Sequence, residues 1–174
     1  MKTRETIRDL ALLAMFAALI FVSKNAMEFI PNVHPVTMFV MVLTFSYRWR
    51  ALIPIYIFVF MIGVQHGFPL WWIPYLYIWT VYWAISMLIP YHKMPMKARL
   101  ILLPLICGLF GLAYGTLYAP AQAVMFHLGP HSTLKWIIAG LPWDAVHFFG
   151  NLSIGTLIVP LTELVLKMKK KYTD

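Results

Sequence analysis

The chain has 174 residues, of which 61% are hydrophobic and only 11% are charged. This apolar share, with a mean hydropathy of +0.77, excludes an ordinary soluble domain and indicates an all-α integral membrane protein. The formal net charge of +8 does not indicate nucleic-acid binding, because the basic residues lie at the ends of apolar segments, as membrane topology requires. No cleavable signal peptide is predicted.

Six apolar segments within one membrane domain, residues 1–174, predict a six-transmembrane-helix bundle with helices at about 8–30, 33–47, 51–65, 72–89, 100–118 and 142–167. The second and third segments are short, since about 15 residues reach roughly 22 Å of a 30 Å hydrocarbon core. Pro142 suits the start of the last helix, and Pro160 predicts a kink in it. Turn signals at Pro120 and Gly129-Pro130 indicate that residues 120–141 hold the end of the fifth segment, an outer loop and a lead-in to the sixth segment.

The orientation in the membrane is predicted from lysine and arginine. Twelve of the 14 basic residues fall at the N-terminus, the 2–3 loop, the 4–5 loop and the C-terminus, which share one side in a six-span protein: Lys2, Arg4, Arg8, Arg48, Arg50, Lys93, Lys97, Arg99, Lys167, Lys169, Lys170 and Lys171. Only Lys24 and Lys135 belong to the other side. The positive-inside rule therefore predicts cytoplasmic termini and outward-facing loops near 31–35, 66–71 and 127–135.

Three polar residues enter the last apolar segment. Asp144, His147 and Asn151 are spaced i, i+3 and i+7, which places them on one helix face that Gly155 continues. Ionisable residues inside membrane helices are costly and by default face the interior for a functional reason. The other interpretation of this face is a purely structural polar network.

An aromatic stripe runs along the fourth segment. Trp72, Tyr75, Trp79 and Tyr82 recur at helical spacing, and the last two lie roughly 10–15 Å deeper than an interfacial belt would require. Deep aromatic side chains with polar tips can stack on a flat ligand. The alternative is bulk that faces lipid or fills the core.

The predicted outer ends carry further polar residues. Glu28, Asn32 and His34 follow the first segment, and Gln65 and His66 precede the aromatic stripe. In the predicted topology they lie on the same side as Asp144. We therefore expect all of these residues to converge with the stripe and the Asp144 face on one outward-facing, substrate-binding cavity.

Other chemistries have no sequence support. The chain lacks the phosphate-binding G-x-x-x-x-G-K-[ST] loop, the H-E-x-x-H zinc motif and the G-x-S-x-G esterase motif. Its six histidines form no recognisable metal set, and the single Cys107 lies in an apolar run. We therefore predict no catalytic residues, no metal and no cofactor. Ala14 and Ala18 form a small-x-x-x-small pair, which suits either close helix packing within the bundle or docking of a partner helix.

With these residues in view, the chain resembles the S components of energy-coupling factor (ECF) transporters, the small membrane subunits that bind vitamins. The resemblance covers the whole chain in size and topology. It rests on Ala14-Met-Phe-Ala-Ala18 and on the stretch from Gly140 to Asn151, which reads Gly-Leu-Pro-Trp-Asp-Ala-Val-His-Phe-Phe-Gly-Asn. The segments Asn32-Val-His-Pro35 and Trp71-Trp-Ile-Pro-Tyr75 also look like a subgroup of this family.

The resemblance implies a binding subunit of an ATP-driven importer in the plasma membrane of a bacterium. Asp144, His147 and Asn151 would contact the ligand, and Ala14 and Ala18 would dock onto a transmembrane coupling subunit driven by two cytoplasmic ATPases. ATP hydrolysis would belong to those partners, so the chain itself would not be an enzyme.

The ligand is a separate prediction. Tryptophan and tyrosine with one carboxylate, histidine and asparagine suit a small heteroaromatic vitamin or precursor, such as pyridoxine or a hydroxymethylpyrimidine. Pantothenate or another vitamin is the alternative, with Lys24 or Lys135 as the cationic contact. Two further hypotheses are a small intramembrane enzyme that uses Asp144 and His147 as an acid–base pair, and an assembly subunit whose polar face only packs.

Overall fold

The structure, a computed structural model, describes residues 2–30 and 32–171, and in these ranges it consists of helices and turns without strands. Three short 3₁₀ segments, Arg48–Ala51, Leu70–Trp72 and Tyr91–Lys93, link some of the helices. The helices are α1 (Lys2–Ala26), α2 (Val36–Tyr47), α3 (Leu52–His66), α4 (Tyr75–Leu88), α5 (Met96–Leu112), α6 (Tyr114–Met125), α7 (Pro130–Gly155) and α8 (Ile158–Lys171).

Side-chain contacts give the directions of the first four helices. α2 runs parallel to α4, because His34 lies beside Trp79 while the Arg48 guanidinium donates to the Met87 carbonyl oxygen at 3.5 Å. α3 runs antiparallel to α4, because the Tyr56 hydroxyl donates to Leu76 O at 3.0 Å, whereas the Trp72 indole donates to Val59 O at 2.7 Å. α1 runs parallel to α3, with Arg50–Asp9 at one end and Asn25–Gln65 at the other.

The second half of the chain continues this alternation. α5 and α6 form one nearly continuous path, and α7 returns along it, since Gly155 packs on Pro104 while Asp144 reaches Gly115. The chain thus passes six times between two ends of a bundle. One end holds the 48–51 and 91–95 turns and the C-terminal part of α8, and we call it the basic end. The opposite end holds residues 27–30 and 32–35 and the 67–74 and 126–129 connections, and we call it the cavity end.

The apolar helices are of the kind that crosses membranes. Four stretches are long and apolar enough for this, namely Asp9–Ala26, Val36–His66, Leu70–Lys93 and Met96–Met125. A fifth results if α7 and α8 count as one bent span. Val36–His66 contains both α2 and α3, which the contacts above show to be antiparallel. The helical, multi-pass character predicted from composition is therefore present in the described residues.

Helix α2 forms the centre of the bundle. All twelve of its residues are buried, and α4, α7 and α8 pack around it. A helix that is apolar on every side is stable only when other apolar groups surround it. The position of α2 explains why its sequence shows no polar face.

Two predicted boundaries are wrong in the last third of the chain. The helices predicted to end at 118 and to begin at 142 extend further, because α6 continues to Met125 and α7 already begins at Pro130, so the connection between them is only residues 126–129. Pro120 and Pro142 lie inside these helices. Proline inside a helix removes one backbone hydrogen bond, a loss that soluble helices seldom tolerate but membrane helices accommodate through their neighbours. Pro130 takes the helix-start position that the sequence analysis gave to Pro142.

Other boundaries differ by shorter distances. α1 ends at Ala26, four residues before the predicted end, so Glu28 lies in the turn that follows. The last helix bends by 45° between Gly155 and Ile158, just before Pro160. Pro160 has no N–H to offer the carbonyl of Thr156, which accounts for a break at this place. The predicted orientation also counts four residues whose side chains the structure does not describe: Lys2, Arg4, Arg8 and Lys171.

Glycines bring α7 into close contact with α5 and α6. A methyl group placed on Gly111 would lie 2.7 Å from both the His147 carbonyl oxygen and Asn151 Nδ2. On Gly115, it would collide with the carboxylate of Asp144. The backbones can approach this closely only because these positions have no side chain.

We expect Gly111→Ala to destabilise the protein, because the new methyl group must push α7 away. The cost should be about 1–3 kcal/mol, which is several degrees in melting temperature. Gly140→Ala is the matched control, since no atom lies within 4 Å of a methyl group there, and it should leave the melting temperature unchanged or raise it slightly. Thermal unfolding in detergent measures both variants, and equal stability of the two would contradict the close contact.

Candidate functional site

The polar face of α7 is buried against α5 and α6. Asp144, His147 and Asn151 have exposed fractions of only 4%, 7% and 2%. The predicted i, i+3, i+7 face therefore points into the bundle, as expected for polar residues within an apolar segment. Asn151 is the deepest of the three, one turn below His147 and against Gly111.

Asp144 caps the start of α6. Its Oδ1 accepts a hydrogen bond of 3.1 Å from the backbone N–H of Gly115, the second residue of that helix. Free N–H groups at a helix start carry partial positive charge, which favours a carboxylate. His147 Nδ1 lies 4.0 Å from the same oxygen, beyond hydrogen-bonding distance. Asp144 and His147 are therefore neighbours without forming a hydrogen-bonded pair.

Aromatic rings from four parts of the chain meet beside His147. Tyr114 lies 5.0 Å from the His147 ring and 6.2 Å from Trp79, measured between centroids. His34 lies 5.7 Å from His147 and 6.3 Å from Trp79, and Tyr75 lies 5.6 Å from Trp79. Trp79, only 1% exposed, forms the floor of this aromatic cluster.

A two-part cavity opens over the cluster at the cavity end. One part, the loop lobe, has a volume of about 210 Å³ and is lined by Lys24, Met27, Glu28, Ile30, Asn32, Val33, His34, Tyr75, Tyr114 and His147. The other part, the helix lobe, has a volume of about 440 Å³ and is lined by Asn32, Tyr114, Gly115, Tyr118, Trp136, Gly140, Trp143, Asp144 and His147. The lobes are adjacent, because Asn32, Tyr114 and His147 line both.

Several buried polar atoms around the cavity have no hydrogen-bond partner among the described residues. They are His34 Nδ1, Trp79 Nε1, Asp144 Oδ2, His147 Nδ1 and Asn151 Oδ1. Buried polar groups in folded proteins are nearly always hydrogen-bonded, and each exception calls for a physical reason. Five of the eight buried atoms without a partner in the described residues lie in this region, which makes it a candidate ligand site.

His34 stays uncharged at neutral pH. Burial, together with the neighbouring His147 and Lys24, lowers its pKa to about 3. The imidazole therefore offers one N–H donor and one nitrogen acceptor to a ligand. It carries no net charge that would attract an anion.

The rim of the loop lobe carries one ion pair. Lys24 Nζ lies 3.1 Å from Glu28 Oε1, and the lysine side chain is largely buried while the glutamate is half exposed. The lysine charge is thus already balanced within the protein. This pair makes the rim polar without giving it a net charge.

Five residues predicted for the site do not line either lobe, and three of them, Trp72, Gln65 and His66, make their contacts elsewhere. The Trp72 indole instead donates to Val59 O on α3 and packs against Phe68. Gln65 exchanges hydrogen bonds with Asn25 and thereby joins α3 to α1, and His66 packs on Trp71. Among the other predicted residues, the structure brings Glu28, Asn32, His34, Tyr75, Asp144 and His147 to the cavity wall, with Trp79 and Asn151 beneath it.

The part of the cavity wall that α6 and α7 form, which we call the α6–α7 wall, was not predicted from the sequence. Tyr114, Tyr118, Trp136 and Trp143 line the helix lobe, and the rings of Tyr118 and Trp136 stack at 5.9 Å. They were overlooked because no helix was predicted between 118 and 142, so the two helices were not expected to face each other here. The i, i+4 spacing of the two tyrosines and the helix-start signal Gly129-Pro130 could have revealed this wall.

Ala14 and Ala18 lie away from the cavity, on the exposed side of α1. Leu13, Ala17 and Ile20 form the buried side of the same helix. An apolar groove of about 490 Å³ runs beside the exposed alanines, lined by Leu12, Met15, Phe16, Ala18, Leu19, Val22, Tyr47, Val165 and Met168. This face therefore has no covering helix within the described part of the chain.

Comparisons with known proteins identify no relative. No protein-family model matches the chain, and neither a curated protein nor a solved structure matches it significantly. Within residues 2–30 and 32–171, no three His, Cys, Asp or Glu side chains are grouped so that they could hold a metal ion.

We expect Asp144→Asn to leave the melting temperature unchanged or higher. An asparagine oxygen can still accept from Gly115, while the cost of burying an unpaired charge is removed. Glu163→Gln is the matched control, because Glu163 Oε1 lies 2.9 Å from both Arg99 Nη1 and the Tyr91 hydroxyl. The free energy of unfolding of that variant should fall by about 1 kcal/mol, a small loss because the ion pair is partly exposed. If thermal unfolding shows that Asp144→Asn lowers the melting temperature more than Glu163→Gln does, the charge of the Asp144 carboxylate stabilises the fold and the prediction is wrong.

Proposed function

We propose that this protein is the substrate-binding subunit, or S component, of an energy-coupling factor vitamin importer. It would cross the plasma membrane of a bacterium six times, with both termini in the cytoplasm. Its ligand would be a small heteroaromatic vitamin or precursor of the pyridoxine or hydroxymethylpyrimidine type. The chain would bind and carry this ligand, while ATP hydrolysis would belong to two partner ATPases.

The observation that carries the proposal is the cavity with its unpaired polar atoms. A ligand site is usually a concave, mostly apolar pocket with a few converging polar groups. Here aromatic rings form the walls, and around them lie five polar atoms that have no partner among the described residues. A ligand that bonded to some of these atoms would offset the free-energy cost of their burial.

The distribution of charge supports the proposed orientation. Arg48, Arg50, Lys93, Lys97 and Arg99 lie at the basic end, whereas the cavity is at the opposite end. By the positive-inside rule, the basic end would face the cytoplasm and the cavity would open outward. This is the arrangement that uptake requires.

The chemistry of the walls supports a flat ligand with hydrogen-bonding groups. Tyr75, Trp79 and Tyr114 supply aromatic surface, and neutral His34 supplies a donor and an acceptor. An anionic vitamin such as pantothenate is less well matched, because Lys24 is already paired with Glu28. An intramembrane enzyme is also less well supported, because Asp144 and His147 are 4.0 Å apart and share no hydrogen bond.

We expect purified protein to retain its ligand and to lose it when the cavity wall is changed. Small molecules extracted from protein purified in detergent would be identified by mass spectrometry and titrated back by calorimetry. His147→Ala should weaken binding by roughly ten-fold or more, because it removes a ring shared by both lobes. His66→Ala is the control and should change affinity less than about two-fold, since that side chain is outside both lobes. Equal effects of the two variants would contradict this cavity as the binding site.

A second experiment tests the docking surface. Ala14→Trp and Ala18→Trp should abolish uptake in cells but leave ligand binding intact, because a bulky ring blocks the close approach of a partner helix. Ile101→Trp places the same ring on another exposed apolar face and should retain uptake. Co-purification of the coupling subunit gives a direct readout. Full uptake by the double Ala14, Ala18 variant would exclude this face as the docking surface.

A further inference from the structure

The acidic side chains of this protein differ in how they are neutralised. The structure describes the side chains of four of the six, and three of these pair with a basic side chain: Asp9 with Arg50, Glu28 with Lys24 and Glu163 with Arg99. Asp144 is the fourth. Among the described residues, no lysine or arginine lies within 4.0 Å of its carboxylate.

Asp144 is also the most deeply buried of these four acids. It is 4% exposed, and its only hydrogen bond comes from the Gly115 backbone, which leaves Oδ2 without a partner among the residues the structure describes. Acidic side chains within membrane helices are normally neutralised by a cation, a proton or a substrate. No lysine or arginine of the described structure neutralises Asp144, so this role is left to a proton or to a ligand.

The helix lobe provides room for such a partner. Asp144 lines this lobe of about 440 Å³ together with Tyr114, Tyr118, Trp136 and Trp143. Aromatic rings attract cations through their negative faces and stack on flat rings. The lobe thus places one carboxylate among four aromatic side chains, a combination that favours a flat, basic, nitrogen-bearing group.

We infer that the ligand of this cavity carries an amino or ammonium group, which donates to Asp144 while the attached flat ring lies among the aromatic side chains of the helix lobe. The inference rests on the proposed function, since it names the chemical class of ligand for the same cavity. It distinguishes between vitamins that are otherwise similar. An amine-bearing ring is preferred over the same ring with a hydroxyl in place of the amine.

Pyridoxamine and pyridoxine make the test sharp, because they differ only in an aminomethyl against a hydroxymethyl group. Calorimetric titration of both into the purified protein at pH 7 should show pyridoxamine binding about ten-fold or more tightly, since a hydrogen bond between charged groups exceeds a neutral one. In Asp144→Asn, the two affinities should become equal within about two-fold. Thermal unfolding confirms that the variant is folded.

The possible outcomes separate the two proposals. Equal binding of the two compounds by the unchanged protein, or tighter binding of pyridoxine, overturns the inference and leaves the proposed binding function standing. Binding of neither these compounds nor amino- and hydroxy-substituted hydroxymethylpyrimidines overturns the proposed ligand class, and the inference with it. If Asp144→Asn does not fold, Asp144→Glu replaces it and should retain the preference for the amine.

Discussion

The close approach of α7 to α5 and α6 is the contact on which the site depends. Gly111 and Gly115 leave room for the backbone and side chains of α7, so Asp144 can reach the first turn of α6. The same approach brings His147 against Tyr114. Larger residues at the glycines would separate the helices and move the carboxylate, the imidazole and the tyrosine apart. One packing constraint thus sets both the stability of this helix pair and the geometry of the cavity.

The partly or fully buried acidic side chains have different partners at the two ends of the bundle. At the basic end, Arg99, Glu163 and Tyr91 satisfy one another, and the Arg99 guanidinium lies 4.4 Å from the centre of the Tyr91 ring. At the cavity end, His147 and Asp144 retain buried atoms without partners in the described structure. Stability alone favours the first arrangement, because an unpaired buried polar atom costs free energy. Ser46 Oγ and Thr162 Oγ1, near the basic end, are also unpaired in the described structure, so the contrast between the ends concerns the ionisable side chains.

Much of the architecture could be predicted from the sequence, and the errors have physical causes. Segment number and the buried α7 face follow from apolar length and helical spacing, which are local properties. Pro120 and Pro142 misled the prediction, because proline ends helices in water but is tolerated where neighbouring helices surround it. The roles of Trp72 and Gln65 depend on which helices are adjacent, and a single sequence does not contain that information. Because the end of α6 and the first part of α7 were not predicted as helices, there was no reason to expect Tyr118 and Trp136 to face each other.

The enclosure of α2 has a consequence for biogenesis. Its twelve residues extend only about 18 Å, less than the roughly 30 Å hydrocarbon core, and every one of them is covered by other parts of the protein. Such a short helix cannot insert as an independent transmembrane helix in the way that a long apolar helix does. α8, which begins about 110 residues later in the chain, is among the helices that cover it. Newly made α2 must therefore remain incompletely enclosed until the C-terminal helix has been synthesised and has packed against it.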